Sequence, residues 1–243
     1  LNLVDAHVHL PAYPDPTDVI AIARGAGTSL LSCTVNEREA LVNLRLRELY
    51  PETVLSFLGV HPSDVSDVLP STVLGDLFSS ADGVGEIGLD AKYSDASPGS
   101  DQMKAFVDQL VVAERLGKPV EVHSRGSEKS CLEVLSSFRL KSVLMHWFEG
   151  EEHINEVASR GYFVSVGPAV LYSKKLRRIA QLVPSGRVLT ESDGPVAYKP
   201  LGDRGGPAMI PSVLFTLGGL RGISFEAEAQ EVYDGFHSFM LRS

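Results

Sequence analysis

Cysteine is scarce in this chain: Cys33 and Cys131 are the only two among 243 residues. One falls in an apolar strand-like run and the other in a helix-like run, without paired metal spacing, so buried free thiols are expected. No stretch reaches the ~20 uninterrupted apolar residues of a membrane span, which argues against a membrane domain. Lysine and arginine number 22 against 31 aspartates and glutamates, a formal charge of −9. That balance weakens any picture in which a broad basic surface lies along nucleic acid. It leaves room for a local cationic site, because bound metal ions invert the field of an acidic pocket. The first strand begins almost at Leu1 and leaves no space for an apolar signal core, so a cytoplasmic location is expected. Gly25 and Gly27 form no nucleotide-binding turn, since no Gly-rich loop follows the first strand.

What the chain does have is alternation. Short apolar runs recur at Leu3–Leu10, Ser29–Val35, Val54–Val60, Gly83–Asp90, Val120–Val122, Ser142–Met145, Tyr162–Val166 and Arg187–Thr190. Helical spacing separates them, at Thr17–Ala26, Glu37–Tyr50, Thr72–Ser80, Asp101–Leu116, Ser127–Phe138, Glu151–Ser159 and Lys174–Leu182. Two closing helices cover roughly Ala208–Met240, and a polar loop rich in Ser, Asp and Pro spans Ala91–Ser100. A βα alternation of this kind implies a parallel sheet. About 250 residues is the usual length of a (β/α)₈ TIM barrel, so an α/β barrel forming one domain over residues 1–243 is expected. A doubly wound open sheet would also alternate, but its polar residues would gather at one switch point.

Here they follow several strands instead. His7 and His9 lie on the first, two residues apart and on one face. Glu86 follows on the fourth, His123 on the fifth, His146 on the sixth and Asp193 after the eighth. Barrel enzymes build their sites at the C-terminal ends of strands, so these six side chains are expected to converge. Six nitrogen and carboxylate donors exceed one tetrahedral ion and suit two ions about 3.5–4 Å apart. The expected metal ligands are therefore His7, His9, Glu86, His123, His146 and Asp193. Glu86 or Asp193 is the expected bridge.

The motifs Asp5-x-His7-x-His9, Gly59-Val60-His61-Pro62, Gly85-Glu86-Ile87-Gly88-Leu89-Asp90, His123-Ser124-Arg125, His146-Trp147-Phe148-Glu149-Gly150 and Thr190-Glu191-Ser192-Asp193-Gly194-Pro195 stand in this order. Together they resemble the TatD family of metal-dependent deoxyribonucleases, a branch of the amidohydrolase-like barrels. The resemblance implies a barrel with two divalent ions (Zn, Mg or Mn) that hydrolyses phosphodiester bonds through a metal-bound hydroxide. It further implies His7, His9 and Asp193 on one ion, His123 and His146 on the other, and Glu86 between them. By the same resemblance Asp193 orients or deprotonates the water, His61 acts near the scissile group, and Arg125 offers its planar fork to phosphate. The substrate it implies is DNA, entering from an exposed end or as a single strand, with no obligate protein partner.

Some features depart from the pattern. Gly126-Ser127 replaces an acid-alanine pair, Glu149 adds a carboxylate, and the late arginine-asparagine-x-proline survives only as Asp203-Arg204-Gly205-Gly206-Pro207. The closing asparagine-x-x-x-leucine-phenylalanine is unmatched around Phe236–Leu241. These departures weigh against processive DNA binding. A small-molecule amide, ester or lactone hydrolase is the second reading, and a metal-binding protein without turnover the third. Arg125 has a structural alternative as partner of Glu149 or Glu121, and His61 one as a cap before Pro62. Asp90 is expected to order the loop at Lys92, Trp147 and Phe148 to form walls, and His153 and His237 to be ordinary helix residues.

Overall fold

The structure is a computed structural model that describes residues 1–65, 71–93 and 99–241. Eight parallel strands pair in sequence order, each beside its successor: β1 (Leu3–Val8), β2 (Thr28–Cys33), β3 (Val54–Leu58), β4 (Gly83–Gly88), β5 (Val120–His123), β6 (Val143–Met145), β7 (Phe163–Val166) and β8 (Val188–Thr190). The last strand turns back onto the first. A parallel bridge joins Val8 to Gly194, the His9 amide donates to the Gly194 carbonyl at 2.8 Å, and the Asp193 amide donates to the His7 carbonyl at 2.9 Å. Inside the seam, the Ser192 amide donates to the Asp5 carboxylate at 2.7 Å. The result is the nearly closed (β/α)₈ TIM barrel that the alternation implied.

Helices α1 (Pro16–Ala26), α2 (Glu37–Leu49), α3 (Ser71–Ser79), α4 (Ser100–Leu116), α5 (Glu128–Leu135), α6 (Ile154–Ser159), α7 (Lys174–Leu182), α8 (Ile210–Arg221) and α9 (Phe225–Leu241) connect or cover the strands. Local chemistry sets their ends. Asp15 accepts from the Thr17 amide ahead of Pro16, Asn36 accepts from the Arg38 and Glu39 amides, and Gly27 closes α1 in the left-handed conformation at φ 67°. Among the described residues no single helix is long and apolar enough to cross a membrane.

Two apolar layers follow from strand alternation. Val120, Val122, Val143 and Met145 turn outward, in one cluster with Phe106 and Leu110 of α4. Phe57 and Phe163 come from β3 and β7, four strands apart on an eight-strand ring and so on opposite walls. The Phe239 ring of α9 contacts both, at centroid distances of 6.0 and 5.5 Å. It therefore fills the barrel interior from one end, in the segment that lacks the expected closing motif.

Several boundaries differ from expectation. β3 stops at Leu58 and β4 at Gly88, where φ reaches 144° and no side chain is tolerated. His61 and Asp90 are thereby released into loops. Residues 151–153 form a 3₁₀ turn ahead of α6, α5 ends at Leu135, and a small antiparallel pair, β9 (Ala197–Tyr198) with β10 (Asp203–Arg204), was not anticipated. Within the polar loop expected at 91–100, residues 94–98 lie outside the described ones.

Candidate metal centre

The eight site residues expected from sequence all meet at the C-terminal end of the barrel. β1 carries His7 inward and β5 ends on His123. The others lie in β4 (Glu86) or just past β1, β3, β5, β6 and β8. A cavity of about 350 Å³ opens there, lined by His9, His61, Glu86, His123, Arg125, His146 and Asp193 among others. His7 sits beneath it, fully buried.

Three imidazoles are oriented in the same way. His7 Nδ1 donates to Glu121 at 2.7 Å, His146 Nδ1 donates to Glu191 at 2.6 Å, and His9 Nδ1 faces the Cys33 carbonyl at 3.3 Å. With the proton held on Nδ1, each ring presents the lone pair of Nε2, the arrangement typical of histidine prepared for a metal. The His7 and His9 Nε2 atoms stand only 3.0 Å apart, where two lone pairs repel unless a proton or a cation separates them. His7 also stacks on His146, with ring centroids 3.6 Å apart.

Glu86 divides its two oxygens between two groups. Oε2 faces His9 at 3.4 Å and His7 at 3.7 Å. Oε1 faces His123 at 2.6 Å, His61 at 3.6 Å and His146 at 3.8 Å. Asp193 Oδ1 lies 3.2 Å from His7 Nε2 and 3.7 Å from His9 Nε2. Among the described residues, Glu86, Glu121, Glu191 and Asp193 form ion pairs with histidine alone, and all four are buried. Burying that much negative charge is costly unless cations share the space, so the donor set fits divalent metal. Four triads have ligand atoms within 4.8 Å of one another: His7–His9–Glu86, His7–His146–Asp193, His61–Glu86–His123 and His7–Cys33–Glu121. The last is no ligand set, because burial holds the Cys33 thiol protonated and its Sγ donates to Glu121 at 2.5 Å.

The electrostatics of the protein groups agree. Burial alone would discharge Glu86, but His61, His123 and His7 hold its carboxyl well below the ordinary range. Burial likewise opposes charge on His7 and His123, and the neighbouring carboxylates outweigh it. Glu121 and Glu86 lift His7 well above the usual histidine value, and Glu86 and Asp90 lift His123 to about 9. Two non-glycine residues hold left-handed backbone here, Trp147 at φ 38° and Asp193 at φ 46°. Such conformations cost about 1–3 kcal/mol and concentrate at functional sites.

His61 differs from the other histidines. Its Nδ1 accepts from the Ser63 amide at 3.1 Å, which leaves the proton of the neutral ring on Nε2, the nitrogen turned toward Glu86. Burial pushes it down to about 3. It is thus a neutral donor pointed at the cavity rather than a lone pair.

Arg125 pairs with neither Glu149 nor Glu121. Its Nε donates to Asp90 Oδ2 at 2.9 Å, and its guanidinium carbon lies 4.8 Å from the centre of the Tyr93 ring. Glu149 instead meets Lys175 at 3.7 Å, and Glu121 is buried beneath His7. Asp90 does order its loop, accepting from the Lys92 and Tyr93 amides at 2.6 and 3.1 Å. It also accepts from His123 Nε2 at 2.6 Å, a link unseen in sequence. Trp147 lines the mouth and stacks on Tyr198, with centroids 5.6 Å apart, whereas Phe148 is buried core. His237 packs on Tyr233 of its own helix, and His153 stands beside Glu152.

Sequence reasoning missed Glu121 and Glu191, the two acids that orient His7 and His146. The signal was present. Glu121 lies two residues before His123 on β5, which puts that pair on one strand face, and Glu191 directly follows β8, two residues before Asp193.

Comparison with known proteins bears on this arrangement. The family described as TatD related DNase matches residues 4–240. A protein of Escherichia fergusonii named 3′-5′ ssDNA/RNA exonuclease TatD is 29% identical, over 86% of this chain and 86% of its own. The metal-dependent hydrolase YcfH of Escherichia coli K12 is also 29% identical, over 96% of this chain and 94% of its own. The crystal structure of YjjV, a TatD homolog from Escherichia coli K12, superposes with a TM-score of 0.89 at 24% identity, covering 99% of this chain and 97% of that one.

Proposed function

Since the chain belongs to the TatD-related DNase family, we propose that it is a divalent-metal-dependent phosphodiesterase that shortens DNA from an exposed or single-stranded end. The observation that carries this reading is Glu86, whose two oxygens face two separate groups of histidines. His7, His9 and Asp193 would hold one ion, His123 and His146 a second, and Glu86 would span both. Zinc, magnesium or manganese bound there would bring the pKa of a water toward neutrality and offset charge on the phosphoryl oxygens.

The protein's own groups supply the rest. The Asp193 carboxyl, which His7 and the neighbouring histidines hold below its ordinary pKa against the pull of burial, is ionised at neutral pH and would orient or deprotonate the attacking water. His61 carries its proton on Nε2 and would donate a hydrogen bond from it to a phosphate or leaving oxygen, stabilising the charge that develops there. Arg125, tethered through Nε, turns its remaining N–H groups to the phosphate. Glu121, Glu191 and Asp90 hold the imidazoles in place. Residues 1–243 act on this reading as one catalytic domain, and the two buried free thiols suit the expected cytoplasmic setting.

The test is cleavage of end-labelled single-stranded DNA with magnesium, manganese or zinc, with Glu86→Ala as control. Metal-dependent shortening by the wild type and none by the variant is expected. Turnover of a chromogenic ester that Asp193→Ala abolishes, with no cleavage of DNA under any metal, would instead favour the small-molecule hydrolase.

A further inference from the structure

Charge is distributed unevenly around the barrel mouth. The described residues of the segments that follow the eight strands, 9–15, 34–36, 59–65, 89–93, 99, 124–127, 146–153, 167–173 and 191–209, together contain nine aspartates and glutamates. Against these stand four basic residues, Lys92, Arg125, Lys199 and Arg204. Among the described residues that line the cavity, Arg125 is the only lysine or arginine, beside Glu86, Glu128, Glu149 and Asp193. Lys175, at the start of α7, is taken up by Glu149. Arg125 itself is anchored, with Nε on Asp90 and the guanidinium against Tyr93, which leaves one planar fork for one phosphate. The cavity, at about 350 Å³, is at the small end of ligand pockets and has the size of a single small molecule.

Proteins that follow a nucleic-acid strand neutralise successive phosphates with a track of cations. The cavity offers one such contact, Arg125, and the described segments around it hold more than twice as many acids as bases. Building on the phosphodiesterase reading, we infer that the site recognises a single scissile phosphodiester with its immediate neighbours, so that its substrate class is the short oligonucleotide. Long strands gain nothing from the nucleotides outside the cavity. The enzyme releases its substrate after each cut and treats a dinucleotide much as it treats the end of a long strand.

The experiment uses the full chain with its metal at fixed concentration. It measures kcat/KM per strand end for single strands of 2, 4, 10 and 20 nucleotides, each between 50 and 200 mM potassium chloride. One phosphate contact gives a log–log salt slope of about −0.7, a loss of about threefold over that range, where six contacts would give about 300-fold. The expected result is kcat/KM within about threefold across all lengths, with the shallow slope. Arg125→Ala should bring the slope near zero. A rise of more than tenfold from 4 to 20 nucleotides, a slope steeper than −3, or an unchanged slope in Arg125→Ala would overturn the inference and leave the phosphodiesterase reading intact. Cleavage of no strand at any length would overturn both.

Discussion

Replacing Glu121 by glutamine tests whether a buried carboxylate, and not the ligand histidine alone, sets metal affinity. Glu121 is wholly buried, with Oε1 accepting from His7 Nδ1 at 2.7 Å and Oε2 from the Cys33 thiol at 2.5 Å. The amide preserves shape but removes the charge. Its oxygen can still accept from His7 only if its NH₂ turns to Cys33, which forces the thiol proton away. Loss of an acceptor behind a ligand histidine costs about 10- to 100-fold in metal affinity, or about 1.4–2.8 kcal/mol. The pH dependence has a definite sign. Against the pull of burial, Glu121 and Glu86 lift His7 well above its ordinary pKa, so at low pH a metal must displace a proton from the wild type. Removing the charge lowers that pKa and relieves the competition. The affinity gap between wild type and Glu121→Gln should therefore be smallest near pH 6 and widen toward pH 9. Chelator competition across this range measures it, with circular dichroism to establish that the variant folds. Equal affinities at pH 9 would show that Glu121 does not govern His7, and the reasoning would fail.

Asp90→Asn should loosen His123 and Arg125 together, raising KM for an oligonucleotide and weakening metal binding; a change in only one of the two would separate the roles assigned to this carboxylate. His61→Gln should lower kcat by about 100-fold and leave metal affinity unchanged, as expected of a hydrogen-bond donor to developing charge that is not a ligand. Because burial holds His61 to about 3, its unfolded form binds a proton below about pH 6.5 that the folded form refuses. The wild type should therefore lose stability as pH falls from about 6.5 to 3, and urea melts should find a smaller loss in His61→Gln. At Gly88, where φ is 144°, a Cβ would lie 2.0 Å from the His123 carbonyl oxygen. Gly88→Ala should cost about 3 kcal/mol or more, a fall in Tm of roughly 6–12 °C by calorimetry.

The fold was legible because its signals are local. Asp15-Pro16 starts α1 and Gly27 ends it, Asn36 starts α2, and Pro51 separates α2 from β3, so the helix and strand spacings stand out along the chain. Barrel closure was legible only indirectly, from His7 and Asp193 requiring strands one and eight to be neighbours. The structure meets that requirement through the hydrogen bond from the Asp193 amide to the His7 carbonyl. Strand ends were overrun at Val60 and Asp90 because apolar pattern alone does not register the backbone turn at Gly88 or the bonding of the His61 amide to the Val35 carbonyl.

The supporting acids were missed for a different reason. The sequence places an acid two residues before a candidate ligand three times, Asp5 before His7, Glu121 before His123 and Glu191 before Asp193. A carboxylate that turns inward with Leu144, Phe163 and Leu189 needs a partner, so each acid could have been marked as part of the site. Its partner could not. Glu121 does not serve His123 on its own strand; it reaches His7 on β1, four strands away and on the opposite wall. Glu191 serves His146 from β8, and Asp5 takes the Ser192 amide across the seam. These pairings run through the interior of a closed ring, and their partners depend on how the strands stagger as the ring closes. Spacing along a strand identifies the face of a residue, whereas the residue it meets across the barrel is a property of closure. The carboxylates that orient the histidines are therefore both the part of the site furthest from sequence reading and the part that ties metal binding to an intact barrel.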